Sequence, residues 1–285
     1  MTALSGRRRR VIARVATALV LAAVAAGFVT GLWFRVRRLA VAVGLPAPVR
    51  LAVMSDLHLG ARGRGAGMAR RAVREAMAQR PDAIVLVGDF VSGQAGIPEI
   101  PSVVAALHAP LGVYAVLGNH DHWADAPAVE AALESAGVRV LVNDSVVVHK
   151  GKARLALVGI DDLWAGSVDW DAAWRDVPKR TPVVLLSHNP EAAAQVGQVS
   201  NLPYRAALIV SGHTHAGKFR LPRFVHRALI RLTGRGLIPA TAYGSAHPYG
   251  LMREKWGWVY ITSGVTCGAP PRWYTRPEVA VVELD

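Results

Sequence analysis

Aspartate, asparagine and histidine occur in this chain in five short clusters whose residue types are typical of a metal site. Carboxylate and amide oxygens together with imidazole nitrogens are ligands that several divalent cations accept. Two such cations about 3.5–4 Å apart can stabilise both the attacking and the leaving oxygen of a displacement reaction. The clusters therefore predict a two-metal hydrolase site. They are Asp56-Leu57-His58, Gly88-Asp89, Gly118-Asn119-His120-Asp121, Ser187-His188-Asn189 and Gly212-His213-Thr214-His215.

Each cluster directly follows an apolar run that is typical of a buried β-strand. The runs are LAVMS (51–55), AIVLV (83–87), VYAVL (113–117), PVVLLS (182–187) and ALIVS (207–211). Because loops at the carboxyl edge of a sheet converge, these strands would deliver the five clusters to one place. Helical stretches alternate with the strands, which predicts an α/β fold. The predicted helices cover residues 68–79, 101–108, 126–136, 170–176 and 190–196.

Further strands make the predicted sheet mixed rather than purely parallel. Residues 138–142 and 146–148 are joined by the turn sequence Asn143-Asp144-Ser145, and residues 154–159 follow closely. Such short connections predict a meander of three strands. Two more strands are predicted near the C-terminus, at residues 258–263 and 279–284.

The N-terminal region predicts a membrane anchor. Residues 15–34 contain no charged side chain, and about 20 apolar residues are needed to span a bilayer. The run is longer than the ~7–15 apolar residues of a signal peptide, although a cleaved signal stays an alternative. We expect a basic flank at 1–14, a transmembrane or signal-anchor helix at 15–34, a linker at 35–48 and one catalytic domain at 49–285.

Charge and cysteine content narrow the partners and the compartment. Much of the net charge of +13 surrounds the apolar run, with five arginines before it and three just after it. This distribution is typical of membrane flanks, so no nucleic acid is expected as a partner. The larger number of arginines before the run favours a cytoplasmic N-terminus. We therefore expect a single-pass cell-membrane protein with an extracytoplasmic catalytic domain. Residues 8–12 also match a twin-arginine export signal. The single cysteine, Cys267, excludes an intramolecular disulfide and a thiolate metal cluster.

The five ordered clusters resemble the calcineurin-like metallophosphoesterase superfamily. The N-terminal anchor, residues 211–218 and the C-terminal Pro270-Pro271-Arg272 further resemble its YkuE and YaeI branch of bacterial phosphodiesterases. The resemblance implies a four-layer αββα sandwich with mixed sheets and a site for two divalent ions, Mn, Fe or Zn. Two departures concern neighbours of the site: Ser92 replaces an aspartate, and Ala216-Gly217-Lys218 replaces the Gly-Gly-Gln of the branch pattern.

The resemblance also implies roles for individual residues. A metal-bridging hydroxide would be the nucleophile, His120 would stabilise the transition state, and Asp121 would orient His120. The first metal would be bound by Asp56, His58, Asp89 and His215. The second metal would be bound by Asp89, Asn119, His188 and His213.

By this resemblance we expect hydrolysis of a phosphodiester or phosphoanhydride carried by a lipid or by the cell envelope, and a phosphomonoester stays an alternative. A basic amphipathic stretch at 216–240 is a second candidate membrane contact, and a solvated helix is its alternative. Two other interpretations stay open: a cytoplasmic-facing hydrolase of the UDP-diacylglucosamine type, and a non-catalytic scaffold stabilised by metal. The sequence does not define the oligomeric state.

Overall fold

The computed structural model describes residues 6–60, 65–198, 205–217, 247, 249–266 and 276–285. The strands of these residues form two six-stranded sheets. The first sheet has the order β1-β12-β2-β3-β4-β5, in which β2 to β5 are parallel and β12 is antiparallel to β2. Its strands are β1 (Arg35–Val41), β2 (Val49–Met54), β3 (Ala83–Val87), β4 (Val113–Val116), β5 (Arg139–Val140) and β12 (Glu278–Leu284).

The second sheet has the order β10-β11-β9-β8-β7-β6. Its central strands are parallel, and β6 and β10 are antiparallel to their neighbours. Both sheets are therefore mixed, as the sequence predicts. The strands are β6 (Asp144–Lys150), β7 (Ala153–Gly159), β8 (Val183–Leu186), β9 (Leu208–Ser211), β10 (Gly250–Arg253) and β11 (Trp258–Ile261).

Three apolar cores separate four layers. The middle core joins the two sheets, with Leu51 and Val53 of β2 facing Val184 and Leu186 of β8. The alternate residue Ala52 faces the outer core beneath the helices, as the two-residue period of a strand requires. The other outer core lies between the second sheet and two short helices. This arrangement confirms the αββα sandwich.

Helices cover the outer faces of both sheets. On the first sheet lie α2 (Gly65–Ala78), α3 (Ile100–Val104) and α4 (Asn119–Glu134), with a six-residue 3₁₀ helix before α3. On the second lie α5 (Trp170–Trp174) and α6 (Ala192–Gln198). Helix α4 begins seven residues before the predicted start at residue 126. Extended backbone at Asp125 separates its first turn from the rest, and the prediction covers only the part after this break. Pro127 favours a helix start, which explains the predicted boundary.

The N-terminal segment differs from the prediction. Helix α1 (Gly6–Leu32) contains most of the predicted membrane segment. Within the described part of the chain, no helix is both long and apolar enough to cross a membrane, so the transmembrane prediction is not confirmed. The linker prediction for residues 35–48 is wrong for 35–41, because these residues form β1 and pair with β12 along its whole length. The folded domain therefore begins at Arg35 rather than Val49.

The predicted three-strand meander is also wrong. Strand β5 pairs with β4 in the first sheet, whereas β6 pairs with β7 in the second. The chain crosses between the sheets near Leu141, whose backbone N–H donates to Ala115. Asn143 has a positive φ of 52° and allows the change of direction. Only the β6–β7 hairpin of the meander is present.

A buried carboxylate joins the N-terminal strand to the C-terminal strand. Glu278 begins β12, is fully buried and accepts hydrogen bonds from Arg35 of β1 at 2.7 and 3.1 Å. The hydroxyls of Tyr249 and Tyr260 donate to the same carboxylate at 2.8 and 2.6 Å. Because β1 is antiparallel to β2, this network lies at the edge of the sheet where β2 ends.

We expect Glu278→Gln to lower the free energy of unfolding by about 2 kcal/mol, because it leaves Arg35 without its counter-charge. Urea denaturation followed by circular dichroism measures the loss. The matched control is Glu283→Gln on the same strand. That carboxylate is half exposed and 3.9 Å from Arg50, so its loss should cost less than about 0.5 kcal/mol. Equal losses for the two variants would contradict the buried network.

Candidate metal centre

Three side chains from the ends of β2 and β9 point their donor atoms at one place. His58 Nε2 and His215 Nε2 are 3.2 Å apart, and Asp56 Oδ1 lies 3.5 Å from His215 Nε2. All three residues are buried. Buried imidazoles beside a buried carboxylate are the donor set of a divalent metal site. This donor group matches the ligands predicted for the first metal.

A second donor group lies beside the first. His213 Nδ1 is 3.0 Å from Asn119 Oδ1 and 3.3 Å from His188 Nε2. His188 Nδ1 is 2.8 Å from the Val87 carbonyl, so it donates there and leaves Nε2 for the centre. The structure thus places six of the seven predicted ligands in two donor groups.

Asp89 lies between the two donor groups. Its Oδ2 is 3.6 Å from His58 Nε2 of the first group and 3.3 Å from His188 Nε2 of the second. Its Oδ1 accepts the backbone N–H of His120 at 2.9 Å, which fixes the orientation of the carboxylate. A carboxylate held between two donor groups is suited to bridge two ions. The residues present therefore fit a pair of divalent metals.

The backbone of the centre is strained. Nine non-glycine residues of the described chain have positive φ, and five of them are predicted ligands. Such conformations cost on the order of 1–3 kcal/mol each and persist where the surrounding structure requires them. At the ends of β2, β3 and β9 they turn the donor side chains toward the centre. These five residues are Asp56, His58, Asp89, His213 and His215.

Two glycines in the clusters are required by close packing. A Cβ at Gly118 would collide with the Asp89 carboxylate, and one at Gly212 would collide with the Ser55 hydroxyl. Ser55 Oγ is 2.6 Å from Asp56 Oδ2, so it supports that carboxylate. The glycines of the clusters therefore permit the close approach of the loops that hold the ligands.

The charges of the centre are strongly coupled. Burial lowers the pKa of His188, but the carboxylates of Asp89, Asp56 and Asp162 together outweigh burial and raise it to about 10. Burial and the cationic His188 lower the pKa of His213 to about 3. Burial would raise the pKa of Asp89, yet His188 and His58 hold it below its usual range. The buried carboxylates of Asp56 and Asp89 thus provide the negative charge that bound metal cations would neutralise.

His120 lies at the open side of the centre. Its ring contacts the ring of His58 edge-on, with centroids 4.8 Å apart, and its side chain is partly exposed. A nitrogen of its ring lies within 4.8 Å of donor atoms of His58 and Asp89. This position lets the imidazole reach a substrate bound at the centre.

Asp121 does not orient His120, contrary to the prediction. Its buried carboxylate accepts four backbone N–H groups, at 2.8–3.2 Å, and no bond to the His120 ring is present in the described structure. Burial and the neighbouring Asp89 raise the pKa of Asp121 above its usual value, although backbone donors such as the Gly118 N–H partly offset this rise. Asp121 therefore holds the two loops that carry Asp89 and Asn119. The donors are the N–H groups of Asp89, Phe90, Val91 and Gly118.

A histidine and a carboxylate outside the predicted site residues join two loops beside the centre. His122 Nε2 lies 2.7 Å from Asp161 Oδ1, so the first turn of α4 is tied to the loop after β7. The carboxylate raises the pKa of His122, and the imidazole lowers that of Asp161. Asp161-Asp162 follows an apolar strand just as the five clusters do, which is the signal that was available in the sequence.

We expect His122→Gln to cost roughly 1–2 kcal/mol of unfolding free energy at pH 6 and progressively less at higher pH. The folded-state pKa of His122 is raised. Its contribution is therefore complete below the ordinary value of about 6.5 and is lost as pH rises through the raised value. Thermal denaturation between pH 6 and 9 measures the difference. The exposed His149→Gln is the control, and a pH-independent difference for His122→Gln would contradict the ion pair.

Two sequence predictions near the centre fall on residues that the structure does not describe. The basic stretch at 216–240 lies outside the described residues from position 218 onward, and so does Lys218. Ser92 is described, and its hydroxyl is 3.5 Å from the His58 carbonyl.

A four-layer sandwich with two donor groups around a shared carboxylate defines a metal-dependent hydrolase. Residues 49–217 match the calcineurin-like phosphoesterase family. The chain therefore belongs to the calcineurin-like metallophosphoesterases, and it is an enzyme of that class.

The similarity to individual proteins extends beyond residues 49–217. Phosphodiesterase YaeI of Escherichia coli is 28% identical over 259 residues, which cover 88% of this chain and 88% of YaeI. The metallophosphoesterase YkuE of Bacillus subtilis is 27% identical, with 72% of this chain and 68% of YkuE covered. A transmembrane protein with a metallophosphoesterase domain from Danio rerio is 32% identical, with 60% of this chain and 41% of that protein covered.

Proposed function

We propose that this enzyme is a dinuclear phosphodiesterase that acts on phosphates linked to lipids or to the cell envelope. The observation that carries the proposal is the position of Asp89 between two groups of buried donor atoms. The diester preference is supported by the similarity to YaeI, a protein named as a phosphodiesterase.

In this proposal Asn119 and His213 complete the second metal site. Their donor atoms lie 3.0 Å apart, and His213 Nδ1 lies 3.3 Å from His188 Nε2, the atom that Asp89 Oδ2 approaches to 3.3 Å. When bound, the metals would supply Lewis acidity and lower the pKa of water to generate a nucleophile. Asp56 and Asp89 are the two carboxylates among the proposed ligands, so the centre would be net positive with two divalent ions bound and would attract an anionic diester.

His120 would act on the substrate directly. Its backbone is fixed by the hydrogen bond to Asp89, and its ring stands at the accessible side of the donor groups. An imidazole in this place can donate a hydrogen bond to a phosphate oxygen or a proton to the leaving alcohol. A diester benefits from that proton because its leaving group is otherwise a poorly stabilised alkoxide.

The location of the domain is part of the proposal. The uncharged run at residues 15–34 and the five arginines before it support membrane anchoring with an extracytoplasmic catalytic domain. Strand β1 begins at the edge of the sheet where β2 delivers Asp56, so an anchor ending at Leu32 would join the domain beside the centre. A lipid phosphate would then be near the metals. The orientation is tested with a reporter that is active only in the cytoplasm, fused after Asp285. Activity of this reporter would favour the cytoplasmic lipid hydrolase.

Hydrolysis of paired chromogenic esters tests the activity. The full chain is stripped with a chelator and assayed with bis(4-nitrophenyl) phosphate and 4-nitrophenyl phosphate, before and after Mn²⁺ is restored. We expect metal-dependent turnover with a higher kcat/KM for the diester. A higher kcat/KM for the monoester would reject the diester preference. Absence of turnover of both esters, with metal bound, would favour the non-catalytic scaffold.

A further inference from the structure

Two exposed tryptophans stand against histidines of the centre. Trp123 is 63% exposed, and its ring centroid lies 5.0 Å from that of His120. Trp164 is 41% exposed, and its ring meets the ring of His213 edge-on at 4.3 Å. Outside α1, the only other large apolar side chain with comparable exposure among the described residues is Trp33. Exposed indoles are therefore concentrated where the substrate must bind.

The loop that carries Trp164 is held in place by buried acceptors. Asp162 Oδ1 accepts the N–H groups of Trp164 and Ala165, each at 2.8 Å. Asn189, which follows His188, accepts the N–H of Leu163 at 2.8 Å. Both acceptor residues are fully buried. The exposed ring of Trp164 thus projects from a loop fixed directly to the second donor group.

The two tryptophans are also fixed relative to each other. Trp123 directly follows His122, whose imidazole binds Asp161 at 2.7 Å, and Asp161 opens the loop that carries Trp164. Trp123 contacts the histidine proposed to face the substrate, whereas Trp164 contacts a proposed ligand of the second metal. The two rings therefore stand against different histidines of the same centre.

We propose that Trp123 and Trp164 are specificity-determining residues, each binding one of the two organic groups of a phosphodiester through its apolar face. This inference rests on the proposed phosphodiesterase function and deepens it. A monoester carries one organic group and would use one of the two rings. The chemistry that the rings select is a flat aromatic or other apolar group on each ester oxygen, because indole faces bind such groups by stacking and burial.

Kinetics of matched diesters test the proposal. Bis(4-nitrophenyl) phosphate and methyl 4-nitrophenyl phosphate share a leaving group and differ in the group retained on phosphorus. The ratio to measure is kcat/KM of the bis ester divided by kcat/KM of the methyl ester. For the tryptophan that binds the retained group, replacement by alanine should lower this ratio about tenfold. For the tryptophan that binds the leaving group, the replacement should lower kcat/KM of both substrates about tenfold and keep the ratio. Replacement of either tryptophan by phenylalanine instead of alanine should keep most of the wild-type kcat/KM.

Trp33→Ala is the matched control, since this exposed ring contacts Arg276 and none of the histidines of the centre in the described structure. Calorimetric binding of diphenyl phosphate and dimethyl phosphate to the metal-loaded variants shows whether affinity is lost while the fold is kept. A short-chain phosphatidylglycerol assayed in parallel separates the sources. This lipid has an acylated glycerol on one ester oxygen and a polar glycerol on the other. A loss on the lipid in one of the two alanine variants therefore assigns the acylated group to that ring, and a loss confined to aryl esters assigns aromatic groups.

Alanine variants that change neither the ratio nor kcat/KM by more than about twofold, in an enzyme that hydrolyses diesters, would overturn the tryptophan proposal and leave the phosphodiesterase function intact. A wild-type enzyme that hydrolyses no diester would reject the function and the tryptophan proposal together.

Discussion

Asp89→Asn is expected to lower kcat/KM for a diester by roughly a thousandfold or more. The carboxylate Oδ2 lies between the two donor groups, so the variant weakens both metal sites at once. Loss of several kcal/mol of Lewis-acid stabilisation corresponds to this factor. Asparagine keeps the acceptor for the His120 N–H, so the change removes charge and leaves the loop supported. Steady-state kinetics with added Mn²⁺, together with metal analysis of the same sample, measures the effect.

The control for this variant is Asp82→Asn. Asp82 precedes the same strand, β3, at its opposite end, where its carboxylate binds Lys150 at 2.6 Å. This variant should keep the activity and the metal content of the wild-type enzyme. Wild-type activity of Asp89→Asn at any metal concentration would show that the shared carboxylate is not required.

Asp121→Ala is expected to lower the free energy of unfolding by about 4 kcal/mol or more. The substitution leaves four buried N–H groups without an acceptor, and each such group costs about 1–3 kcal/mol. This is a large part of the ~5–15 kcal/mol that stabilises a typical domain. Urea denaturation of the metal-free protein measures the loss without the contribution of bound metal.

Asp125→Ala is the control on the same helix. Its carboxylate accepts a single N–H, that of Ala128 at 3.2 Å, and is exposed, so its removal should cost less than about 1 kcal/mol. Wild-type stability of Asp121→Ala combined with a large loss of kcat would contradict the loop-fixing role. That result would restore the role of Asp121 in orienting His120.

The sequence predicted the parts of the fold that depend on local pattern. The five runs before the clusters are strands because continuous β-branched runs suit buried parallel sheets, and β3 has the predicted bounds. Their common direction was enough to predict that the seven donor side chains meet. These features rest on short-range periodicity and on the geometry of parallel strands.

Features that depend on the partner of a segment were not predictable in the same way. The arginine-rich sequence of β1 is typical of a flank, and it becomes a strand because β12 offers an open edge and Glu278 neutralises Arg35. Strands β5 and β6 are adjacent in sequence, yet a turn of three residues sends them to different sheets. Neither pairing leaves a signal in the local pattern.

The role of Asp121 shows the same limit within the site. Its place in the Gly-Asn-His-Asp cluster suggested an interaction with His120, because carboxylates often orient imidazoles. The structure instead turns the carboxylate toward the loop of Asp89, which is distant in sequence. The contact between His122 and Asp161 is likewise visible only once the loop after β7 lies beside the first turn of α4.

The number of metal ions held by the full-length chain tests the central claim most directly. The protein is stripped with chelator, reconstituted with Mn²⁺, freed of excess metal and measured by elemental analysis against protein concentration. The two donor groups around Asp89 predict two ions for each wild-type chain and a clear reduction in Asp89→Asn. A folded wild-type protein that retains no ion, or that retains as much metal as its Asp89→Asn variant, would contradict the dinuclear centre.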